Sequence, residues 1–227
     1  MDWPILSSLG EEDRRHMLAS TRRRRFARRE VLFHEGDPGD TLHLIDKGRV
    51  AVRITTPLGD VATLSVLGPG ECVGEMALLG SGHRGATVVA LEKTETLSLH
   101  RDQFEVLRRD NPAVDRFLID VLAAEVRRLD GQLMEALFLP VERRVLRRLI
   151  ALTGIYSNER AGNSSGTPQT PGGSEIPLTQ DDLASLAGTS RATVNRVLRQ
   201  AEEAGWLALG RGRIRIIDHA RLARRAH

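Results

Sequence analysis

The sequence predicts an α+β fold in which an N-terminal antiparallel β-roll, jelly-roll-like, precedes one long helix and a small, mainly helical unit. Two patterns along the 227 residues support this prediction. Short β-branched runs dominate residues 30–100, and apolar residues at helical spacing dominate after about Arg101. Hydrophobic residues make up 41% and charged residues 28% of the chain, which is typical of a globular protein with a substantial core.

Turn-forming residues separate the predicted strands of the β-roll. Groups of Gly, Pro, Asp and Lys interrupt the β-branched runs at residues 36–40, 47–48, 57–60 and 68–70. Between two of these groups, Val50, Val52 and Ile54 alternate with other side chains and so share one face of a strand. Short strands at this spacing favour an antiparallel barrel or sandwich.

A long amphipathic helix is predicted after the β-rich part. Pro112 lies near its start, where Asp110 or Asn111 is a suitable N-cap, and Pro140 marks its end. Its apolar side chains recur every three or four residues, at Leu118, Leu122, Val126, Leu129, Leu133 and Leu137. We expect this narrow stripe to pair with the same helix of a second copy in a homodimer. The alternative is that the helix packs on its own domain.

A helix and a loop are predicted to follow. Residues 141–154 place four apolar side chains on one face, at Val145, Leu146, Leu149 and Leu152. Residues 156–175 are rich in Gly, Ser, Pro and Asn, which predicts an exposed, mobile loop.

Two short helices joined by a glycine turn are predicted next, in LTQDDLASLAGTSRATVNRVLRQAEEAGWL. Thr179 caps the first helix together with Asp182. Gly188 ends that helix, Ser190 caps the second, and Gly205 ends the second. This is the layout of a helix-turn-helix, whose second helix enters the major groove of double-stranded DNA. The following WLALGRGRIRII predicts a β-hairpin that forms a basic wing.

The exposed side of the second helix predicts how DNA is read. Arginine matches the two acceptors of guanine, and hydroxyl and amide groups suit phosphates. The expected base-reading residues are Arg191, Ala192, Asn195 and Arg196. The expected phosphate-contacting residues are Thr179, Gln180, Thr189, Ser190, Thr193, Arg211 and Arg213. From Ile176 onward the chain has nine arginines and only five acidic residues. Together with the helix-turn-helix pattern, this excess of positive charge favours a polyanion partner over a merely solvated basic face.

Three ordered segments are LFHEGDPGDTLHLIDKGRV, GEMALLGSGHRGATV and TQDDLASLAGTSRATVNRVL. They resemble the start of the cyclic-nucleotide-binding β-roll, the phosphate-binding cassette and the DNA-reading motif of the CRP/FNR family of bacterial transcription regulators. The resemblance covers nearly the whole chain. It implies a homodimer with a winged helix on each side, a near-palindromic DNA site, contact with RNA polymerase and control by a small effector.

The glycine-rich second segment is the candidate effector site. Its candidate residues are Gly74, Glu75, Met76, Ala77, Arg84, Gly85 and Ala86. Gly74 lets the backbone approach an anion, and the N–H groups that follow it can form a cradle. The resemblance implies that Glu75 holds a ribose hydroxyl and that Arg84 pairs with a cyclic phosphate, which its planar fork suits. The alternative is a structural turn with an incidental Glu–Arg pair.

Departures from the family pattern weaken the case for cyclic AMP. Gly85 follows the arginine where cyclic-AMP-binding members usually have Ser or Thr, so one hydroxyl donor is missing. Leu129 and Asp130 align with the paired Thr and Ser that hold the adenine edge, one from each subunit, and leucine cannot hydrogen-bond a purine. Arg191-Ala192 replaces Arg-Glu at the reading helix, which predicts a half-site other than the standard one. A cyclic nucleotide is expected, with cyclic AMP left open.

Other site classes are not indicated. The lone Cys72 allows no internal disulfide and no cysteine-ligated iron–sulfur cluster within one chain. The scattered His34, His43, His83 and His100 predict neither a metal nor a haem site. No apolar run of about 18 residues and no secretory signal occur, which predicts a cytoplasmic protein without a membrane partner. No nucleophile–base or paired-carboxylate arrangement stands out, so no enzyme activity is expected.

The expected organisation has an effector domain in residues 1–109, a dimerisation helix in 110–139 and a winged helix-turn-helix domain in 140–227. The expected function is that of a dimeric DNA-binding transcription regulator controlled by a small, nucleotide-like effector. Two alternatives are a ligand-independent regulator with a degenerate pocket and a nucleotide-controlled protein-interaction module.

Overall fold

The structure, a computed structural model, describes Leu6 and residues 9–80, 82–162 and 175–226. These residues cluster in two compact units, drawn from residues 1–60 with 64–131 and from residues 61–63 with 132–227. Antiparallel sheets dominate the first unit and helices dominate the second, which confirms the predicted α+β class.

Two four-stranded sheets form the β-roll of the first unit. Their strands are β1 (Arg22–Phe26), β2 (Val31–Phe33), β3 (Thr41–Lys47), β4 (Val50–Thr55), β5 (Val61–Leu67), β6 (Cys72–Val73), β7 (Thr87–Ala90) and β8 (Thr94–His100). The first sheet has the order β1-β8-β3-β6 and the second has the order β2-β7-β4-β5. The predicted turns separate these strands, because Gly, Pro and Asp supply the backbone conformations that the reversals need.

The central strand β3 contributes to the core on both of its faces. Leu44 belongs to a cluster that includes Phe104 and Phe117. Its neighbour Ile45 belongs to a second cluster, with Val50 among its members. Consecutive side chains of a strand point to opposite faces, so β3 is covered on both sides.

Polar residues or glycines flank the first three helices of the first unit. The helices of this unit are α1 (Glu11–Ala19), α2 (Glu75–Leu79), α3 (Arg101–Asp110) and α4 (Ala113–Phe138), whose last residues belong to the second unit. The N–H of Ala113 donates to the side-chain oxygen of Asn111 over 2.8 Å, which is the predicted cap of α4. The helix ends two residues before Pro140, as predicted.

The second unit contains the predicted helix pair and hairpin. Its elements are α5 (Val141–Gly162), β9 (Glu175–Ile176), α6 (Gln180–Ala187), α7 (Arg191–Glu203), β10 (Leu207–Gly210), β11 (Arg213–Ile216) and α8 (His219–Ala226). The strands form a sheet of order β10-β11-β9. The predicted loop of residues 156–175 is wrong at both ends, because α5 continues to Gly162 and β9 begins at Glu175. Its middle, residues 163–174, lies outside the described residues.

Candidate functional site

A cavity of about 600 Å³ lies in the first unit, lined by strands of both sheets, by α2 and by α4. Most of the predicted effector residues line it, namely Gly74, Glu75, Met76, Ala77, Arg84, Gly85, Ala86 and Leu129. Asp130 instead lies exposed on α4 and does not line the cavity of its own chain. The cavity therefore has the glycine-rich segment at one end and α4 at the other.

Arg84 is a buried cation at the first end of the cavity, with only 5% of its surface exposed. One terminal nitrogen donates to the backbone carbonyls of Thr41 at 2.7 Å and Gly74 at 3.1 Å, and the other donates to the Thr41 hydroxyl at 2.8 Å. The guanidinium carbon lies 4.0 Å from the ring centroid of Phe33. Burial lowers the pKa of Arg84, while the nearest acid, Asp40, opposes this.

The Nε–H of Arg84 is buried without a hydrogen-bond partner in the described part of the chain. No carboxylate there forms an ion pair with this guanidinium either, because its contacts are to carbonyl and hydroxyl oxygens. A buried donor and a buried charge left in this way favour an anion as a partner. The surroundings of Arg84 can therefore accommodate an anionic group.

Two glycines make room for Arg84. A Cβ atom on Gly74 would lie 2.5 Å from a terminal nitrogen of Arg84 and 2.9 Å from the carbonyl oxygen of Thr41, and its φ of +94° already favours glycine. A Cβ atom on Gly39 would lie 2.4 Å from that of Ala77. In contrast, a Cβ atom on Gly85 would meet nothing within 4 Å.

Arg101 was not predicted from the sequence as a positioning residue. Its guanidinium donates to the carbonyl of Leu78 at 3.2 Å, to that of Gly39 at 2.9 Å, and to that of Ala77. It therefore joins the end of α2 to the loop that contains Gly39. Nothing in the local sequence around Arg101 signals these partners, because they lie on other segments of the chain.

Glu75, which begins α2, also lines this end of the cavity. Burial raises the pKa of Glu75, and the carboxylate of Glu125 adds to the rise, while Arg84 opposes it. Burial likewise raises the pKa of the neighbouring Cys72 thiol, so this cysteine is held in its neutral form.

An ion pair on α4 lines the other end of the cavity. Arg128 donates to both carboxylate oxygens of Glu125, from Nε at 2.8 Å and from Nη2, and its Nη1 donates to the carbonyl of Leu64 at 2.6 Å. The sequence analysis missed this pair. Its signal is the spacing of Val121, Glu125 and Arg128, which puts them on one helix face beside the stripe.

The caps predicted for the two short helices are confirmed in the second unit. The Thr179 hydroxyl accepts from the Asp182 N–H, and the Asp182 carboxylate accepts from the Thr179 N–H at 3.0 Å. Gly188 has a φ of +59°, which its place at the end of α6 requires. The hydroxyl of Ser190 caps α7 by accepting from the N–H of Thr193.

All four predicted base-reading residues lie exposed on α7: Arg191, Ala192, Asn195 and Arg196. Val194, Val197 and Leu198 are buried on the opposite side. A helix with this division packs against its own domain while offering a polar face that begins at its N-terminal turn. This is the geometry needed to reach base edges in a major groove.

Acidic residues of the same unit contact two arginines of α7. Arg196 donates to the Glu142 carboxylate at 2.8 Å, and this contact lowers the pKa of Glu142. A terminal nitrogen of Arg191 lies 3.4 Å from the Asp181 carboxylate. Because all four side chains are well exposed, these are weak, solvent-screened pairs.

The predicted phosphate-contacting residues differ in what they can still donate. The Thr179 hydroxyl already donates to Asp182 at 2.7 Å, so its proton is used within the helix cap. The hydroxyls of Ser190 and Thr193 lie 3.0 Å apart and share one hydrogen bond, so one of the two protons remains for a phosphate. Gln180 and Thr189 are partly buried, and Arg211 is exposed at the hairpin turn. Arg213, also exposed, lies 3.2 Å from the Glu175 carboxylate.

Comparison with known proteins assigns both units. A family model described as a cyclic nucleotide-binding domain matches residues 23–111, and one described as a Crp-like helix-turn-helix domain matches residues 143–225. The chain is 32% identical over 201 residues to the CRP-like cAMP-activated global transcriptional regulator of Mycobacterium tuberculosis, covering 88% of this chain and 86% of that protein. It is 35% identical over 219 residues to the cyclic AMP receptor protein of Thermus thermophilus, covering 96% and 94%. The chain belongs to the CRP/FNR family.

Solved structures of this family share the fold. The chain is 35% identical to the Thermus thermophilus catabolite activator protein, covering 98% of each chain with a TM-score of 0.54. The c-di-GMP-responsive regulator CLP of Xanthomonas campestris is 23% identical, with a TM-score of 0.74 over 91% of this chain and 99% of that one. At that identity the likeness to CLP concerns the fold alone.

This protein is therefore a transcription regulator with a cyclic nucleotide-binding domain and a helix-turn-helix DNA-binding domain. The relatives named above are transcription regulators rather than enzymes. Among the described residues, no group of three or more His, Cys, Asp or Glu side chains is arranged to hold a metal ion. None of the helices in that part of the chain is both long and apolar enough to cross a bilayer.

Proposed function

We propose that this chain is a cytoplasmic, homodimeric regulator whose cavity binds a cyclic nucleotide and whose α7 reads a near-palindromic DNA site. The observation that carries the effector part is Arg84, which lines a cavity of about 600 Å³ and whose buried Nε–H has no hydrogen-bond partner among the residues that the structure describes. The names of the Mycobacterium and Thermus relatives refer to cyclic AMP, which supports a cyclic nucleotide as the ligand class.

The sugar and phosphate of the nucleotide are assigned to the end of the cavity that contains Arg84. Its guanidinium stabilises the phosphate charge, and the backbone N–H groups from Glu75 to Ala77, with the backbone of Gly85 and Ala86, approach the phosphate oxygens. The Glu75 carboxylate accepts from a ribose hydroxyl. These roles follow the family resemblance, and the cavity lining supports them.

The homodimer is assigned to the apolar stripe of α4. Val126, Leu129, Leu133 and Leu137 are 56%, 40%, 58% and 64% exposed in the single chain. Their spacing of three and four residues is that of a two-helix coiled coil, which would remove these side chains from water. Leu129 also lines the cavity, so effector binding and helix pairing involve the same residue.

Regulation is assigned to a population shift in which the effector favours one arrangement of the paired α4 helices. The proposed domains remain residues 1–109, 110–139 and 140–227, although α3 ends at Asp110 and the two compact units divide α4 after Gly131. The contact with RNA polymerase is proposed from the family resemblance alone, and no enzyme activity is proposed.

DNA binding is tested by selecting duplexes with the purified protein and measuring their affinity by fluorescence anisotropy at several salt concentrations. We expect nanomolar binding that weakens steeply with salt, and its loss in the double variant Arg191→Ala/Arg196→Ala. Arg109→Ala, an exposed change on α3, is the matched control. A wild type that binds no selected duplex would instead favour the protein-interaction module, and operator binding that survives the double variant would mean that residues other than Arg191 and Arg196 read the DNA.

Effector binding is tested by calorimetric titration with cyclic AMP, cyclic GMP and cyclic dinucleotides, on the wild type, Arg84→Ala and Arg109→Ala. We expect Arg84→Ala to weaken binding by about 100-fold or more, because it removes the charge that faces the phosphate, and Arg109→Ala to leave it unchanged. If no nucleotide binds the wild type and operator affinity is the same with and without each nucleotide, the regulator is ligand-independent and its pocket is degenerate.

A further inference from the structure

The α4 end of the cavity carries a charged pair in addition to the apolar Leu129. Glu125 and Arg128 both line the cavity. Glu125 lies one turn before Leu129, the first position at which the family resemblance puts a base-holding hydroxyl, and Arg128 immediately precedes Leu129. Arg128 is fixed at three of its N–H groups, by both oxygens of Glu125 and by the Leu64 carbonyl. The pair is thus held in place by the strand β5 rather than free to swing on the helix.

We propose that Glu125 and Arg128 form a base-reading subsite that selects guanine over adenine in the cyclic nucleotide. This inference rests on the proposed function of the cavity and specifies its ligand. The shared chemistry is a guanine base, which cyclic GMP and cyclic di-GMP both carry.

The remaining hydrogen-bonding groups of Arg128 match guanine. Its hydrogen bonds leave one N–H on each terminal nitrogen without a partner among the residues that the structure describes. Two adjacent donors fit two adjacent acceptors, and guanine offers O6 and N7 side by side. Adenine offers only one acceptor on that edge, because an amino group replaces O6 and would face a second donor.

The carboxylate of Glu125 leads to the same choice through the adjacent, Watson–Crick edge of the base. Each oxygen accepts one hydrogen bond from Arg128 and keeps capacity for another. Guanine presents two neighbouring donors, N1–H and the 2-amino group, whereas adenine presents one donor beside an unprotonated N1. Arg128 and Glu125 can therefore each form two hydrogen bonds with guanine and only one with adenine.

The neutral replacement of both residues tests this assignment. The double variant Glu125→Gln/Arg128→Gln removes the two charges together, so that neither is left unpaired, and glutamine matches the donor and acceptor of adenine. Asp110→Asn, a neutral replacement of an exposed acid at the end of α3 that does not line the cavity, is the control. The full-length wild type and both variants are titrated separately with cyclic AMP, cyclic GMP, cyclic di-AMP and cyclic di-GMP.

We expect the wild type and Asp110→Asn to bind a guanine nucleotide about tenfold or more tighter than its adenine counterpart. We expect the double variant to reduce this preference to about threefold or less, or to reverse it. A preference for cyclic GMP over cyclic AMP identifies a mononucleotide as the ligand, and a preference for cyclic di-GMP over cyclic di-AMP identifies a dinucleotide. Should the double variant unfold, Arg128→Lys, which keeps the charge and loses the planar fork, must lower the preference in the same direction.

Two outcomes overturn the inference and leave the proposed function standing. One is a wild type that binds the adenine nucleotide as tightly as the guanine nucleotide or more tightly. The other is a double variant, or a folded Arg128→Lys, with the full preference for guanine. Binding of none of the four nucleotides by the wild type contradicts the proposed effector function itself, and the inference with it.

Discussion

Arg84 in the cavity donates to neutral oxygens, whereas Arg196 on α7 donates to the negatively charged oxygen of a carboxylate. Arg84 is 5% exposed and donates to the carbonyls of Thr41 and Gly74, whereas the side chain of Arg196 is 53% exposed and donates to the carboxylate of Glu142. Carbonyl oxygens orient a guanidinium without neutralising it, so Arg84 keeps its charge for an anion. To reach guanine as proposed, Arg196 must leave the carboxylate of Glu142. A cation buried among neutral oxygens therefore keeps its charge available for an anionic ligand. An exposed cation that contacts a carboxylate must break that contact before it can bind DNA.

The largest expected effect comes from closing the space that Arg84 occupies. Gly74→Ala puts a methyl group 2.5 Å from an Arg84 nitrogen and forces a residue with a side chain to a φ of +94°. We expect the free energy of unfolding to fall by about 1–3 kcal/mol. We also expect nucleotide affinity, measured by calorimetry, to fall by about 100-fold, because the guanidinium must leave its carbonyl partners.

Gly85→Ala is the control for this change. Its Cβ meets nothing within 4 Å, so we expect unfolding and nucleotide binding near those of the wild type. Gly74→Ala with unchanged nucleotide affinity would show that the position of Arg84 is not what prepares the cavity.

A second test uses the buried His43, which is near Arg84. Its ring is 6% exposed and its Nδ1 lies 3.0 Å from the Thr96 hydroxyl. Burial lowers the pKa of His43 from 6.5 to about 4, and the charges of Arg84 and Arg24 add to this, while Asp40 opposes it. In the range between these values the unfolded chain binds a proton that the folded chain does not, so stability is lost as the pH falls.

We expect this group to lower the free energy of unfolding by about 2 kcal/mol between pH 7.5 and pH 5. Urea unfolding of the wild type and of His43→Gln at both pH values measures it, because glutamine keeps a polar group and does not titrate. Equal pH dependence in the two proteins would show that His43 is not held neutral beside Arg84.

The sequence predicted the reading helix more completely than the cavity. Thr179, Gly188 and Ser190 act within a few residues of their own positions, so helix starts and stops follow from local chemistry. Arg84 was identified through a motif. Arg101 was not, because its partners are distant in sequence and become neighbours only in the folded β-roll. Arg128 was missed although Glu125 is only three residues away, and its other partner, Leu64, is distant in sequence.

Two further predictions from the sequence differ from the structure, each for a reason of helix geometry or helix formation. Alignment with the family pointed to Leu129 and Asp130, but a helix turns about 100° per residue, so only Leu129 of the two lines the cavity of its own chain. The α5 helix continues to Gly162 although Ser157 and Asn158 are weak helix formers. Propensity is a weak guide once a helix has begun, because each added residue completes one more backbone hydrogen bond.

A smaller effect, on nucleotide affinity, is expected when a hydroxyl is added to the cavity beside Arg84. Gly85→Ser adds a hydroxyl beside Arg84 where the structure leaves space for the side chain. One additional hydrogen bond contributes about 0.5–1.5 kcal/mol, so we expect cyclic nucleotide affinity to rise about three- to tenfold by calorimetry. Gly85→Ala, which adds the Cβ atom alone, must not show this gain. Equal affinities of the two variants would place the phosphate away from residue 85.

The smallest expected effect concerns the competition at Arg196. Glu142→Gln removes the negative charge that Arg196 contacts at 2.8 Å and keeps the size of the side chain. Because exposed ion pairs contribute about 0.2–1 kcal/mol, we expect operator affinity to rise by about 1.5- to fivefold in fluorescence anisotropy, with the gain shrinking at high salt. Glu203→Gln, an exposed neutralisation near the end of α7, controls for net charge alone. An equal gain in both variants would mean that Glu142 acts through the overall charge of the domain and does not compete with DNA for Arg196.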